Sequence, residues 1–366
     1  MKTTATASVI LAAFAFAGAA LAADDHWTYD SGTISDGDWT FNATVSGTSL
    51  TVNAVTAWPD TISSLDFSKP VRDNGTGNYT IVTLNPCFAK KKATATDDGY
   101  RPKDLEVTAA GLKLGELVLP QTGLTTISRA AFTHCSNLTH VVNYLPDSVT
   151  TIGNSAFAHC PAKQDLFLRG LNGGSGRGIF YHASIRSITF GPGFKTIGDT
   201  SNGMGSFQSC SSVTNIVFDP ESSNINLPAN AFDATLKLKQ PLVLYGVTNV
   251  NSAAFSSCEV SSITFDKGIK TIGKLTKVTT LTNVCFLGNP PSLQSGTWAD
   301  YGQGTDKTVT TYIYRRSNKT GEWNAYAEGG NIDMHNSTFS STYATAPSKR
   351  PLLYIDKMAG YYISFK

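Results

Sequence analysis

Two histidine–cysteine pairs, His134–Cys135 and His159–Cys160, have the clearest capacity for chemistry in this sequence. They end two similar segments, TTISRAAFTHC at 125–135 and TTIGNSAFAHC at 150–160, in which seven of eleven positions are identical at an offset of 25. Imidazole and thiolate groups bind zinc, and two nearby thiols can form a disulfide. The duplicated pattern could therefore be a metal site, a redox pair or one layer of a repeat structure.

The spacing of a phenylalanine in these segments favours the repeat structure. Phe132, Phe157, Phe180, Phe207, Phe232 and Phe255 recur at intervals of 25, 23, 27, 25 and 23 residues. Short apolar triplets alternate with them: LVL at 117–119, VVN at 141–143, LFL at 166–168, ITF at 188–190, IVF at 216–218, LVL at 242–244, ITF at 263–265 and VCF at 284–286. One short strand per period of this length is typical of a solenoid, whose rungs bury their apolar faces against each other.

The same spacing predicts which side chains form the interior of the solenoid. Residues that recur at equivalent positions of successive rungs should stack, with strands about 4.8 Å apart. The predicted repeat core is Ile127, Phe132, Cys135, Ile152, Phe157, Cys160, Ile197, Phe207, Cys210, Phe232, Phe255 and Cys258.

The cysteines of this core are expected to pack rather than to react. Each lies three residues after the phenylalanine of its rung, and the third and fifth rungs have Ala183 and Thr235 there. A small buried residue therefore suffices at this position. A disulfide between Cys135 and Cys160 stays open as an alternative, because adjacent rungs bring them close.

A metal site at the histidine–cysteine pairs is not expected. If each cysteine points inward, the histidine before it points outward, so the two cannot ligate one ion. Two other rungs have Ser209 and Ser257 at the histidine position, and two imidazoles alone make a poor site. The sequence predicts no metal and no cofactor.

The middle residue of each triplet is predicted to face outward, because side chains alternate along a strand. These residues, which we name the outward stripe, are Val118, Val142, Phe167, Thr189, Val217, Val243 and Thr264. Five of the seven are large and apolar. Two interpretations stay open: a covered sheet with β-forming residues, or an open face that binds a partner.

The N-terminus and the composition bear on location. Residues 1–22 combine Lys2, an apolar run and the small-x-small ending Ala20-Leu21-Ala22, which predicts a signal peptide cleaved after Ala22. No later run is long and apolar enough to span a membrane. The net charge of +2 gives no reason to expect nucleic acid as a partner. A secreted or cell-surface protein is expected.

The repeated motif I-x-x-x-A-F-x-x-C, with an L-x-L-P-type strand before it and x-x-L after it, resembles the BspA-like leucine-rich repeat family. TTISRAAFTHCSNL, TTIGNSAFAHC, GSFQSCSSV, PANAFDAT and NSAAFSSC carry the resemblance, over roughly residues 105–290. It implies a right-handed parallel solenoid that binds partners at bacterial or protist cell surfaces without enzymatic activity. GRGIFYHAS, the insertion GDTSNGMG and IGKLTKVTTLTNVCF depart from the pattern.

The fold class that follows is mainly β: a leucine-rich-repeat solenoid with one parallel sheet of about eight short strands. The expected division is a signal peptide (1–22), an N-terminal β cap with degenerate first rungs (23–104), the solenoid (105–290), and a C-terminal β-rich cap and tail (291–366). Residues 39–55 alternate apolar and polar around Ser-Gly-Thr, which predicts a hairpin. A strand, a turn and one helical turn around Trp323 are expected in the C-terminal cap.

Catalysis is not expected. The glycine-rich segment GLNGGSGRG at 170–178 lacks the order of a phosphate-binding loop, and the six histidines lie in unrelated contexts without a nucleophile motif. The favoured function is adhesin-like binding of a protein or glycan. The alternative is a structural component of the cell envelope or of an exported assembly. A hydrolase with its site in the C-terminal region is the third hypothesis.

Overall fold

The computed structural model describes residues 25–293, except 76, 86–87, 94–101, 170–175, 197, 199–203, 236, 239–240, 274, 276–277, 279, 282 and 290, and it describes the strands Thr310–Tyr314 and Leu352–Ile355. The predicted signal peptide, Ile197 and the helical turn around Trp323 lie outside the described residues. Within them the chain is mainly β, with two short 3₁₀ helices and no α-helix.

A closed six-stranded barrel forms the N-terminal part. Its region contains β1 (Trp27–Asp30), β2 (Thr33–Ser35), β3 (Thr40–Ser46), β4 (Ser49–Ala57), β5 (Ser63–Asp66), β6 (Val71–Asp73) and β7 (Asn78–Leu84). The ring runs β7-β4-β3-β2-β1-β6, and β6 closes it by pairing with β7. The predicted hairpin at 39–55 is present as β3 and β4, which pair antiparallel.

The sequence predicted a hairpin cap, and the closed barrel corrects that prediction. The physical reason is that closing the sheet pairs the strand edges that a lone hairpin would leave open. The turn between β1 and β2 places Ser31 and Gly32 at φ values of 46° and 92°, the left-handed conformation that tight hairpins need. The strands of the β3–β4 hairpin pair with further strands on both sides, and closure of the ring leaves none of its strand edges open. Aromatic side chains fill the interior, with Trp27 5.7 Å from Phe67 and Trp39 5.8 Å from Phe88 between ring centroids.

The remaining elements follow in chain order. They are β8 (Ala89–Lys91), η1 (Pro102–Asp104), β9 (Leu105–Val107), η2 (Gly111–Lys113), β10 (Leu114–Val118), β11 (Thr126–Ile127), β12 (His140–Val142), β13 (Thr151–Ile152), β14 (Asp165–Leu168), β15 (Ser187–Phe190), β16 (Asn215–Phe218), β17 (Ile225–Leu227), β18 (Lys237–Leu238), β19 (Leu242–Leu244), β20 (Val247–Val250), β21 (Glu259–Val260), β22 (Ser262–Phe265), β23 (Thr271–Ile272), β24 (Asn283–Phe286), β25 (Ser292–Leu293), β26 (Thr310–Tyr314) and β27 (Leu352–Ile355).

Strand β5 joins the barrel to the repeats. The indole of Trp27 donates a hydrogen bond to the Asp66 carbonyl at 2.8 Å, and the indole of Trp39 donates to Ser64 at 2.9 Å. β5 then pairs in parallel with β10, while β7 of the barrel pairs in parallel with β11. The first rung of the repeats is therefore built partly from barrel residues.

All eight triplets contribute to strands, but these form three parallel sheets instead of the single sheet predicted. The sheets are β5-β10-β12, β14-β15-β16 and β19-β22-β24-β26-β27. At the first break, Asn143 adopts φ 55°, which ends β12. The side-chain amide of Gln164 then hydrogen-bonds both the N–H and the carbonyl of Val141, in place of a backbone ladder. At the second break, Pro241 precedes β19 and has no N–H to donate.

The turns that carry the phenylalanines make a backbone ladder of their own. The N–H of Phe132 donates to Ala156 of the next rung at 2.8 Å, and that of Phe157 donates to Ile179 at 2.8 Å. The rings stack face to face in one file, which begins at Phe88 and runs to Phe255 with centroid separations of 5.8, 5.2, 5.6, 5.3, 5.4 and 5.5 Å. All belong to one buried cluster that also includes the barrel.

Candidate functional site

The first six residues of the outward stripe face outward, as the alternation of side chains along a strand predicts. Val118, Val142, Thr189 and Val243 are partly exposed, while Phe167 and Val217 are 40% and 41% exposed. Within β14, β15 and β16, Phe167, Thr189 and Val217 are register partners on adjacent strands. The centre of the stripe is thus an open apolar strip on one parallel sheet.

The last residue of the stripe, Thr264, is buried, which corrects the prediction that it is exposed. Thr264 is only 3% exposed, and Cys285, the equivalent residue of the next strand, is fully buried. Alternation along a strand fixes the direction in which a side chain points, but not whether another part of the molecule covers it. The exposed stripe therefore ends at Val243.

Charged side chains surround the centre of the stripe. The guanidinium of Arg169 lies 4.4 Å from the centre of the Phe167 ring, a cation–π arrangement, and 3.8 Å from the carboxylate of Asp147. On the same face, Asp165 accepts hydrogen bonds from Arg186 and from Ser187. The bond from Arg186 is the main cause of the lowered pKa of Asp165. These contacts fix the rim of the strip without adding net charge.

The cysteine column is a row of buried donors. Cys160, Cys210 and Cys258 each donate to the carbonyl of the preceding rung's phenylalanine, at 3.0, 2.8 and 2.9 Å. Thr235 makes the equivalent bond to Phe207 with its hydroxyl. No disulfide joins Cys135 to Cys160, so the disulfide alternative is not realised. Burial raises the pKa of Cys160 to about 12, which makes this thiol unreactive at neutral pH.

The histidines form a second column, which contains His134, His159 and His182. The ring centroids of His134 and His159 are 4.3 Å apart, and those of His159 and His182 are 5.1 Å apart, with parallel planes. Burial is the largest cause that lowers the pKa of His159 to about 4, and the two neighbouring histidines and Lys92 add to it. The described residues contain no group of three or more histidine, cysteine or acidic side chains that could hold a metal.

Most of the C-terminal region named in the hydrolase hypothesis lies outside the described residues. No helix in the described part of the chain has the length and apolarity to cross a membrane.

This chain is similar to one family model and to several solved structures. A model of the BspA type leucine rich repeat region matches the chain in six copies, over residues 110–202 and 200–300. A leucine-rich repeat protein from Bacteroides ovatus is similar in structure, with 19% identity, a TM-score of 0.43, and coverage of 75% of this chain and 70% of that chain. A leucine rich cell surface protein from Faecalibacterium prausnitzii has 13% identity and a TM-score of 0.38, and covers 81% and 98%. The T. pallidum leucine rich repeat protein has 18% identity and a TM-score of 0.31, and covers 72% and 87%. No curated protein matches this chain.

Proposed function

Because this chain belongs to the family of BspA-type leucine-rich repeat proteins, we propose that it is an exported, non-enzymatic protein whose outward stripe binds a protein or a glycan at a cell surface. The observation that carries the proposal is the exposure of Phe167 and Val217, at 40% and 41%, at register positions of one sheet. Large apolar side chains kept in contact with water over several rungs favour a partner surface over a covered sheet.

The rim of the stripe supports the same proposal. Arg169 stacks on Phe167, and the ion pair between Arg186 and Asp165 holds polar groups beside the apolar strip. An apolar centre with a polar rim is the usual anatomy of a protein interface, and arginine is enriched there. A flat strip of this kind also suits the apolar face of a sugar.

The test is a binding comparison of matched variants. Phe167→Asp with Val217→Asp should abolish or weaken by about tenfold or more the binding of ligands identified on an array of matrix proteins and glycans, because each charge would be buried in the interface. Leu112→Asp is the control, since Leu112 is equally exposed at 42% but lies outside the stripe. Unchanged binding by the double variant, with an unchanged circular dichroism spectrum, would remove the stripe from the proposal.

The structural alternative is separated by the mass of the purified protein in solution. A component of an envelope or an exported assembly should self-associate, and light scattering would show masses above that of one chain. If Phe167→Asp with Val217→Asp dissolved such assemblies, the same stripe would serve contacts between copies. A monomer that binds an array ligand supports the binding proposal.

A further inference from the structure

The apolar anchors at the centre of the outward stripe flank a polar residue. Phe167 and Val217 lie on either side of Thr189, as register partners on β14, β15 and β16. The two anchors are therefore two strand spacings apart, about 9.6 Å. Thr189 is partly exposed and presents a hydroxyl between them. A partner that fits this strip makes one apolar contact at every second strand and a polar contact at the strand between.

This spacing distinguishes among the regular conformations of a bound chain. A polyproline II segment has three residues per turn and rises about 3.1 Å per residue, so one face returns about every 9.3 Å. The side chains on one face of an α-helix recur about every 5 Å along the axis, and those of an extended strand about every 6.7 Å. The polyproline II repeat matches two strand spacings, whereas a helix would place an apolar side chain against Thr189.

Hydrogen-bond donors beside the anchors favour the same conformation. Arg169 lies over the Phe167 ring at 4.4 Å, and its side chain is 60% exposed. The ion pair with Asp147 joins one nitrogen of this guanidinium, Nη1, which belongs to a group with five N–H donors. A polyproline II segment has no internal hydrogen bonds, so its carbonyls accept from donors such as Arg169 and the Thr189 hydroxyl. An α-helix has already paired these carbonyls within itself.

The end of the stripe at β5 is acidic. Strands β5, β10 and β12 contain Asp66 and Glu116 and no lysine or arginine. Asp66 is the register partner of Val118, and Glu116 lies two residues before Val118 on the same face of β10. A cationic side chain of a partner is complementary to these carboxylates.

Building on the binding role proposed for the outward stripe, we propose that its partner is a proline-rich protein segment in the polyproline II conformation. Every third residue of this segment is apolar and rests on alternate strands, at Phe167 and Val217. Its carbonyls accept from Arg169 and Thr189, and a lysine or arginine at one end pairs with the acidic end of the stripe.

Fluorescence anisotropy with labelled synthetic peptides and the full chain tests this partner class. The probe contains four repeats of Leu-Pro-Pro and two arginines, and two versions carry the arginines at opposite ends. One control replaces the prolines by alanines, which removes the polyproline II preference. The other has the composition of the probe with its leucines grouped together, which removes the period. We expect one version of the probe to bind with a Kd of about 0.1 mM or lower, and both controls at least about tenfold more weakly.

Matched variants test the polar contacts. Thr189→Val keeps the shape of the side chain but removes the donor, so it should weaken binding of the probe by about threefold or more. A helix would bind this variant more tightly, because it presents an apolar side chain to that strand. Glu116→Gln should weaken binding of the probe by about threefold or more and leave a version without arginines unaffected. Arg72→Gln, on β6 of the barrel, is the control and should bind as the wild type does.

The proposal is overturned if no probe binds at about 2 mM, if either control peptide binds as well as the probe, or if Thr189→Val binds more tightly. Unchanged affinity in Glu116→Gln, or in Phe167→Asp with Val217→Asp while the protein stays folded, would also overturn it. If that double variant loses an array ligand but the wild type binds no probe, the stripe keeps its proposed function and the proline-rich partner is refuted. If the double variant loses the probe but keeps the array ligand, the proline-rich partner stands and the array ligand binds elsewhere.

Discussion

At the scale of single residues, the cysteine position is a hydrogen-bond donor as well as a filler of space. The thiols of Cys160, Cys210 and Cys258 and the hydroxyl of Thr235 all reach the carbonyl of the preceding phenylalanine. The sequence showed that small residues suffice there, but only the structure shows that three rungs use a thiol and one a hydroxyl for one bond. Ala183 has no such donor, so the bond is not indispensable in every rung.

Removing the thiol donor should lower the free energy of unfolding by about the contribution of its hydrogen bond. Cys210→Ala leaves the Phe180 carbonyl without its partner and a small cavity beside it, so the free energy of unfolding should fall by about 1–3 kcal/mol. Cys210→Ser keeps a donor and should lose less. Urea denaturation followed by circular dichroism measures both. Equal losses for alanine and serine would mean that the thiol acts by volume alone.

The histidine column should make stability depend on pH. The pKa of His159 is lowered to about 4 in the folded state from 6.5, so between these values the unfolded chain takes up a proton that the folded chain does not. The stability that neutral His159 contributes to the folded state is fully present above pH 6.5 and is lost as the pH falls towards 4. Because His159 is only half-buried, solvent screening limits the effect to on the order of 1 kcal/mol.

Variants of exposed and stacked histidines test this dependence. His159→Asn accepts the left-handed backbone of the position and should flatten the decline of the urea midpoint between pH 7 and 4. His140→Asn, outside the column, is the control and should keep the wild-type slope. A wild-type slope in His159→Asn would assign the decline to other groups.

At the scale of elements, the strands were predictable and the turns between them were not. The recurring apolar triplets indicated β10, β12, β14, β15, β16, β19, β22 and β24, because each rung must bury the same face. One feature of the turns left no sequence signal: left-handed residues such as Ala130, His134 and Ser257, at φ 58°, 59° and 56°, are not glycines. Hydrogen bonds to the neighbouring rung hold Ala130 and His134, and such contacts between distant residues override local preference. At the sheet break, the side chain of Gln164 likewise bonds a residue distant in sequence, Val141.

The left-handed turn residues predict a specific order of tolerance. Ser257 is exposed with φ 56°, so Ser257→Gly should be close to neutral, because glycine adopts this conformation without strain. Ser257→Val should cost about 1–2 kcal/mol, because a β-branched side chain is disfavoured there. Thermal unfolding of the two variants measures the difference. A valine variant as stable as the glycine variant would show that the backbone of this turn is not left-handed.

At the scale of the whole molecule, one interior runs from the barrel to the last rungs. The sequence predicted the file of phenylalanines from Phe132 to Phe255, and the structure extends it to Phe88 and the barrel tryptophans. The closed barrel was not predictable, because its closure depends on the parallel pairing of β6 with β1, which is distant in sequence. The exposed part of the outward stripe was identified in the sequence, but its end at Val243 was not, because cover over a strand comes from elsewhere in the chain.

The measurement that tests this continuous interior most directly is a double-mutant cycle on neighbouring rings of the file. Phe232 and Phe255 stack at 5.5 Å, so Phe232→Leu and Phe255→Leu should couple by about 0.5–1.5 kcal/mol in the free energy of unfolding. The pair Phe132 and Phe255, several rungs apart, should be additive within about 0.3–0.5 kcal/mol. Additivity in the neighbouring pair would contradict the stacked file, and with it the rigid scaffold that the outward stripe requires.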